Sequence, residues 1–144
     1  MTLAAVKRLR RRNVGKDRIM LLCLIGLFLA VAPWSFSMYR FARNGQLERN
    51  YHMGIKTRWT IASDETWEYI HRRYAFVFLG CGVLVALMPV DVAVGMVATR
   101  DINNMGMIWW RILLALAVVL VAWLVVCGII ANCDARKHYL ESQA

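Results

Sequence analysis

The sequence predicts an all-α integral membrane protein with three transmembrane helices and an amphipathic loop helix between the first two. Of the 144 residues, 60% are apolar and only 19% are charged, whereas soluble domains have about 45–50% and about 25%. The apolar residues are concentrated in three runs, and charged residues flank these runs. Within lipid, each run can satisfy its backbone hydrogen bonds only as a helix. A disordered chain, which needs low hydrophobicity, is excluded.

The basic character of the chain fits a membrane surface better than nucleic acid. The net charge is +9, and the Lys and Arg residues lie beside the apolar runs. Anionic lipid head groups attract each such residue by about 1 kcal/mol. We therefore expect membrane lipids, including anionic head groups, as partners, and no nucleic acid. The four cysteines form no Cys-x-x-Cys pair, so neither a disulfide framework nor a metal site is predicted.

The first transmembrane helix is predicted at residues 19–40, after a basic N-terminal tail at 1–18. Residues 19–39 carry no charge, and a helix of that length crosses about 30 Å of hydrocarbon. A signal peptide has a shorter apolar core of about 7–15 residues, so we interpret this span as a retained anchor. The other two spans are predicted at 73–97 and 108–132, with a short loop at 98–107 and a C-terminal tail at 133–144.

The distribution of basic residues leaves the membrane orientation open. The N-terminal tail and the first loop each carry seven Lys or Arg residues, so the positive-inside rule does not distinguish them. The usual dominance of the first helix favours an N-terminus inside the cell. We expect a multi-pass protein of the cell inner membrane.

The loop at 41–72 is the most informative segment, because loops of this length without a function are uncommon. In its second half, Ser63 is a predicted N-cap, and acidic residues follow it in the first turn, where the helix dipole favours them. The apolar residues Trp67, Ile70 and Tyr74 recur at helical spacing. No Pro or Gly separates this stretch from the second span, so one helix is expected to run from about Asp64 into the membrane.

The first half of the loop has a different pattern. Apolar residues alternate with polar or basic residues from Ile55 to Ile61, which predicts an extended amphipathic segment. Two interpretations remain open. The segment lies on lipid head groups, or it forms a recognition surface for an acidic peptide, lipid or protein.

The loop resembles the signature of the SdpI-like proteins, a family named for an immunity protein against a sporulation-delaying toxin. The matching residues are Asn50-x-x-x-Gly54-Ile55-Lys56-Thr57-x-Trp59-Thr60, then Ser63-Asp64-Glu65-x-Trp67, then His71-Arg72. The resemblance covers residues 26–98, and the third span fits by topology. This sequence has Lys56 where the family usually has Arg, and Arg58 where it usually has Pro. The founding protein has six spans, with this motif in its second half.

The resemblance implies a non-enzymatic role in immunity or signal reception, with a protein partner or peptide toxin. It also implies a cytoplasmic motif loop, which is opposite to the orientation that the first helix favours, so the orientation stays open. The expected recognition residues are Asn50, Gly54, Lys56, Thr57, Arg58, Trp59, Thr60, Trp67, His71 and Arg72. A structural accessory subunit of a larger membrane complex is the alternative, because three helices leave much surface for partners.

The sequence contains no recognisable catalytic motif and predicts no cofactor. Neither a Gly-x-Ser-x-Gly, nor a phosphate loop, nor a His-Glu-x-x-His is present. Asp91 lies in an apolar stretch after Pro89, where it is either a helix end at the head groups or an intramembrane proton or ion site. A small transporter or enzyme would require Asp91 or His71 to be essential.

Overall fold

The computed structural model describes the backbone of residues 3–50, 52–99 and 107–143. Helix α1 covers Leu3–Arg43, α2 Asp64–Arg73, α3 Ala75–Thr99 and α4 Met107–Glu141. Within these residues, three segments are long and apolar enough to cross a membrane: Ile25–Arg43, Ala75–Ala98 and Met107–Glu141. The predicted fold class is confirmed. Most of the predicted loop at 98–107 lies outside the described residues.

Two helices are longer than their apolar runs. Helix α1 begins at Leu3, so it includes most of the basic N-terminal segment, and α4 continues through the predicted C-terminal tail to Glu141. The extension of α4 contains neither Gly nor Pro after its apolar run, whereas the extension of α1 contains Gly15 within the helix. The apolar runs identified only the part of each helix that suits lipid.

The prediction of one continuous helix from Asp64 into the membrane is wrong, because the helix is interrupted at Tyr74. Helix α2 ends at Arg73, and Tyr74 caps it with φ −101° and ψ 18° before α3 begins at Ala75. The Tyr74 side chain is buried at this break, and its hydroxyl donates to Asp134 Oδ2 at 2.6 Å. The helix is therefore interrupted at a residue that contacts α4, although no Gly or Pro in the local sequence predicts an interruption there.

Helix α3 packs between α1 and α4. A Cβ at Gly82 would lie 2.9 Å from Phe36 of α1, and a Cβ at Gly80 would lie 2.7 Å from Trp123 of α4. The Trp123 indole also donates to the Val77 carbonyl at 3.2 Å. The two glycines thus let α3 approach both neighbours closely, as small residues do in membrane helices.

The interpretation of Asp91 as a helix end is wrong. Helix α3 continues through Pro89 to Thr99, and Asp91 is buried within it. Its Oδ2 atom has no hydrogen-bond partner in the described part of the chain. Because a proline in a helix removes only one backbone hydrogen bond, membrane helices tolerate it when neighbouring elements support the backbone.

One cluster of buried apolar residues lies where α2, α3 and α4 meet. It contains Ile70 of α2, Tyr74 and Val77, and a stripe of small residues on α4, with Trp59 and Ile55 of the loop packed against it. The small α4 residues are Cys127, Ala131 and Ala135. Their spacing of four keeps them on one face of α4, so the loop and α2 are held against the end of the helical bundle.

Candidate functional site

The motif residues and α2 form a folded unit at one end of the bundle, here called the loop platform (residues 46–73). Ser63 begins α2 as predicted, and its Oγ accepts from the Thr66 amide at 3.1 Å. Arg49 holds the first residues of the platform against the start of α2. Its Nε lies 2.7 Å from Asp64 Oδ1, and its Nη1 donates to the Ile61 carbonyl at 2.9 Å.

Asn50 shapes the turn that precedes Gly54. Its Oδ1 accepts from the amides of His52 at 2.9 Å and Met53 at 2.7 Å, and its Nδ2 donates to the Glu48 carbonyl at 2.8 Å. An asparagine side chain that accepts from amides two and three residues later imitates a backbone turn. Asn50 therefore acts within the platform by setting the direction of the chain.

Gly54 is required by its backbone angle and by its neighbours. Its φ is +105°, a conformation that side chains with a Cβ rarely adopt. A Cβ there would collide with His71 Nε2 and would lie 3.1 Å from the Trp67 ring. The glycine thus allows the loop to lie directly on α2.

The hydrogen bonds of His71 join the loop to α2 and determine which ring nitrogen carries the hydrogen. The Ile55 amide donates to His71 Nε2 at 2.8 Å, so Nε2 must be unprotonated and Nδ1 carries the hydrogen. Nδ1 then donates to the Trp67 carbonyl at 2.8 Å. Burial lowers the pKa of His71, although the bond to the Trp67 carbonyl acts in the opposite direction. The acceptor role of Nε2 requires a neutral ring, and burial favours the same form.

The segment from Ile55 to Ile61 is not extended, which corrects the prediction from its alternating pattern. The Ile61 amide donates to the Thr57 carbonyl at 3.2 Å, which closes a turn. Thr60 stabilises this turn from inside: its Oγ1 accepts from the Thr57 amide at 2.8 Å and donates to the Ile55 carbonyl at 2.9 Å. Hydroxyl groups that bond to nearby backbone compete with extended pairing, and here they prevail over the alternating pattern.

Trp67 is an internal anchor of the platform. Its side chain is 1% exposed, its indole Nε1 donates to the Leu47 carbonyl at 2.7 Å, and its ring centroid lies 4.0 Å from that of His71. A side chain this buried offers no contact surface to a partner, although the resemblance places Trp67 among the recognition residues. It holds the start of the loop against α2.

The last turns of α4 belong to the same unit, although the motif and the C-terminal segment were predicted as separate parts of the chain. His138 stacks on Tyr69 of α2 with ring centroids 4.1 Å apart. Asp134 Oδ2 accepts from the Tyr74 hydroxyl at 2.6 Å and lies 3.2 Å from Arg73 Nε. Burial and the bond to Asp134 raise the pKa of Tyr74 to about 12. A four-residue period of small residues in α4 was the available signal for this packing.

One surface of the platform carries cations stacked on an aromatic ring. The guanidinium carbons of Arg58 and Arg136 lie 5.3 and 6.0 Å from the Trp59 ring centroid, and Tyr139 lies 5.8 Å from Trp59 by centroids. Within the described residues, neither guanidinium forms an ion pair with a carboxylate. Arg58, Trp59, Arg136 and Tyr139 are here called the basic aromatic face.

The predicted recognition residues therefore divide into two groups. Those that build the platform through hydrogen bonds or burial are Asn50, Gly54, Thr57, Thr60, Trp67 and His71. Those with side chains at the surface are Lys56, Arg58, Arg72 and, in part, Trp59. Arg72 Nη1 lies 3.6 Å from Glu68 Oε1, one turn earlier in α2. Sequence reasoning missed Arg136 and Tyr139, because only the fold brings the end of α4 to Trp59.

Metal binding finds no support in the side-chain positions. No group of three or more His, Cys, Asp or Glu residues suited to a metal ion is found in the part of the chain that the structure describes. Both ring nitrogens of His71 are occupied by backbone groups, so this histidine is not available to a ligand.

Three apolar spanning helices and a folded loop platform define a multi-pass membrane protein. Residues 46–130, more than half of the chain, match the SdpI/YfhL protein family. The chain belongs to this family. Comparisons with curated proteins and with solved structures found no match.

Proposed function

We propose that this chain is a non-enzymatic recognition protein of the cell inner membrane, with a role in immunity or signal reception. Its basic aromatic face binds an acidic segment of a peptide toxin or protein partner at the membrane surface. Membership of the family suggests the role in immunity or signal reception, and the residues of the basic aromatic face suggest that the partner is acidic.

One observation carries the proposal: two guanidinium groups converge on Trp59 without a carboxylate partner among the described residues. Arg presents a planar set of donors that suits carboxylates, and it stacks on aromatic rings. Trp, Tyr and Arg are also the residues that contribute most to protein interfaces. An acidic segment would find both charge complementarity and a large apolar contact on this face.

The platform beneath the face supports this role, because it holds Trp59 in place before a partner arrives. Trp59 packs against the buried core, and the turn that carries it is closed by the Thr57 and Thr60 bonds. A side chain that is already ordered loses less conformational entropy on binding. The same contacts explain why most motif residues serve the platform and only a few face outward.

A peptide pair tests the proposal directly. Two fluorescent amphipathic peptides of equal length and equal apolar content, one with Glu and one with Gln at its polar positions, are titrated with the protein in zwitterionic vesicles. The Glu peptide should bind more tightly. The double variant R58Q/R136Q should weaken that binding about tenfold, the loss expected for two exposed ion pairs of roughly 0.7 kcal/mol each.

Lys137 supplies a matched control, because it is basic and directly follows Arg136. Its Nζ lies 3.9 Å from Glu141 Oε1. K137Q should leave peptide binding unchanged. Equal binding of the two peptides, or equal losses in K137Q and the double variant, would refute the proposal. Native mass spectrometry of the purified protein adds a second readout: a large subunit in fixed ratio, retained by R58Q/R136Q, would favour the accessory-subunit alternative.

A further inference from the structure

A groove of about 470 Å³ separates the motif loop from the membrane-spanning helices. We propose that it is a binding site for a single anionic phospholipid, with the phosphate beside Lys56 and one acyl chain between α3 and α4. This site lies apart from the basic aromatic face, since neither Arg58 nor Arg136 lines the groove. The inference does not depend on the proposed function.

The floor of the groove is apolar and continues into the lipid-facing surface. It is lined by Val77 and Phe78 of α3 and by Leu124, Val125 and Ile129 of α4. Of the α4 residues, Leu124 is 47% and Ile129 is 60% exposed. In a bilayer these side chains face hydrocarbon, so an acyl chain enters the groove from the side without crossing water.

The other end of the groove is polar and positive. The loop contributes Gly54, Ile55, Lys56 and Thr57, and α4 contributes Asn132. Lys56 is the charged residue of this lining, and no Asp or Glu is among the described residues that form it. An ammonium group and a carboxamide together suit a phosphodiester, which accepts hydrogen bonds and carries negative charge.

The position of the groove matches the depth of a lipid head group. Val77 and Phe78 lie in the first turn of the span Ala75–Ala98, next to the platform, so the polar end is at the membrane boundary and the apolar end is below it. The volume lies within the roughly 300–1,000 Å³ of small-molecule sites. Gly128 also lines the groove, and a Cβ there would meet nothing within 4 Å, so the space beside it is open.

Native mass spectrometry tests the site. The protein is extracted from vesicles that contain equal amounts of phosphatidylglycerol and phosphatidylcholine with identical acyl chains, and the lipid that remains bound is identified. We expect one retained lipid, with phosphatidylglycerol enriched. K56Q should reduce this enrichment about fivefold, as expected for one basic residue at an anionic surface. K137Q, which removes an exposed basic residue that does not line the groove, should leave the enrichment unchanged.

A second variant tests the acyl-chain part of the site. G128L places a side chain in the open space and should reduce the retention of both lipids, whereas G26L, at a glycine with nothing within 4 Å in α1, should not. Equal enrichment in wild type and K56Q would overturn the proposal. So would a protein dimer without lipid that G128L dissociates, because a second copy would then occupy the groove.

Discussion

Replacing Gly54 by alanine should open the motif loop while leaving the membrane helices intact. The added Cβ would collide with His71 Nε2, which is the atom that accepts the Ile55 amide at 2.8 Å. The substitution also places a side chain on a backbone with φ +105°. Two independent penalties therefore act on the same contact between the loop and α2.

The magnitude follows from these two terms. A non-glycine residue in a sparsely populated backbone region costs about 1–3 kcal/mol, and loss of the partner of a buried amide costs about 1–3 kcal/mol. Reduced freedom of the unfolded chain offsets about 0.4–1 kcal/mol. The free energy of opening the loop should fall by about 1–6 kcal/mol. Because 1.4 kcal/mol is a factor of ten, the lower bound corresponds to about a fivefold loss of protection.

Hydrogen exchange of the protein in detergent micelles measures this loss at the Ile55 and Thr60 amides. The control is G26A, which adds the same methyl group where nothing lies within 4 Å, and it should leave both amides protected as in wild type. Protection within α3 should be the same in both variants. If G54A retains wild-type protection at Ile55, the assigned packing of Gly54 on His71 is incorrect.

Three further predictions concern the platform. Burial lowers the pKa of His71 in the folded protein, so its neutral form stabilises the fold above the unfolded pKa of about 6.5, and this contribution is lost as pH falls through the lower folded pKa. Protection of the Ile55 amide from hydrogen exchange should therefore fall as the pH drops below about 6.5. Protection that does not depend on pH would contradict this. Trp67→Phe removes a buried indole bond and should lower stability by about 1 kcal/mol in thermal unfolding, whereas an unchanged midpoint would argue against that bond. Asp134→Asn should lower the pKa of Tyr74 from about 12, followed by absorbance titration, and an unchanged value would contradict the assigned contact.

Features that depend on nearby residues could be predicted from the sequence. The cap at Ser63 placed the start of α2 correctly, because a helix start depends on groups within one turn. The three apolar runs identified the spans, because a bilayer selects for length and hydropathy. The motif itself identified the family.

Features that depend on distant residues could not be predicted. The end of α2 at Tyr74 coincides with a hydroxyl bond to Asp134, 60 residues later. The alternating pattern at 55–61 suggested an extended chain, but hydroxyl bonds of Thr60 produce a turn. The basic aromatic face needs Arg136 beside Trp59, and no spacing in the sequence brings these two residues together.

The length of α4 has a mechanical consequence. Its 35 residues extend about 52 Å, whereas the hydrocarbon core is about 30 Å thick, so about 20 Å of unbroken helix projects beyond the core. The projecting part is clasped by α2 through His138 and Asp134. If α4 tilts by 10° to adapt to a thinner bilayer, the tip of this lever moves by about 3 Å. Such a tilt would move the attached platform by a distance comparable to the length of a hydrogen bond.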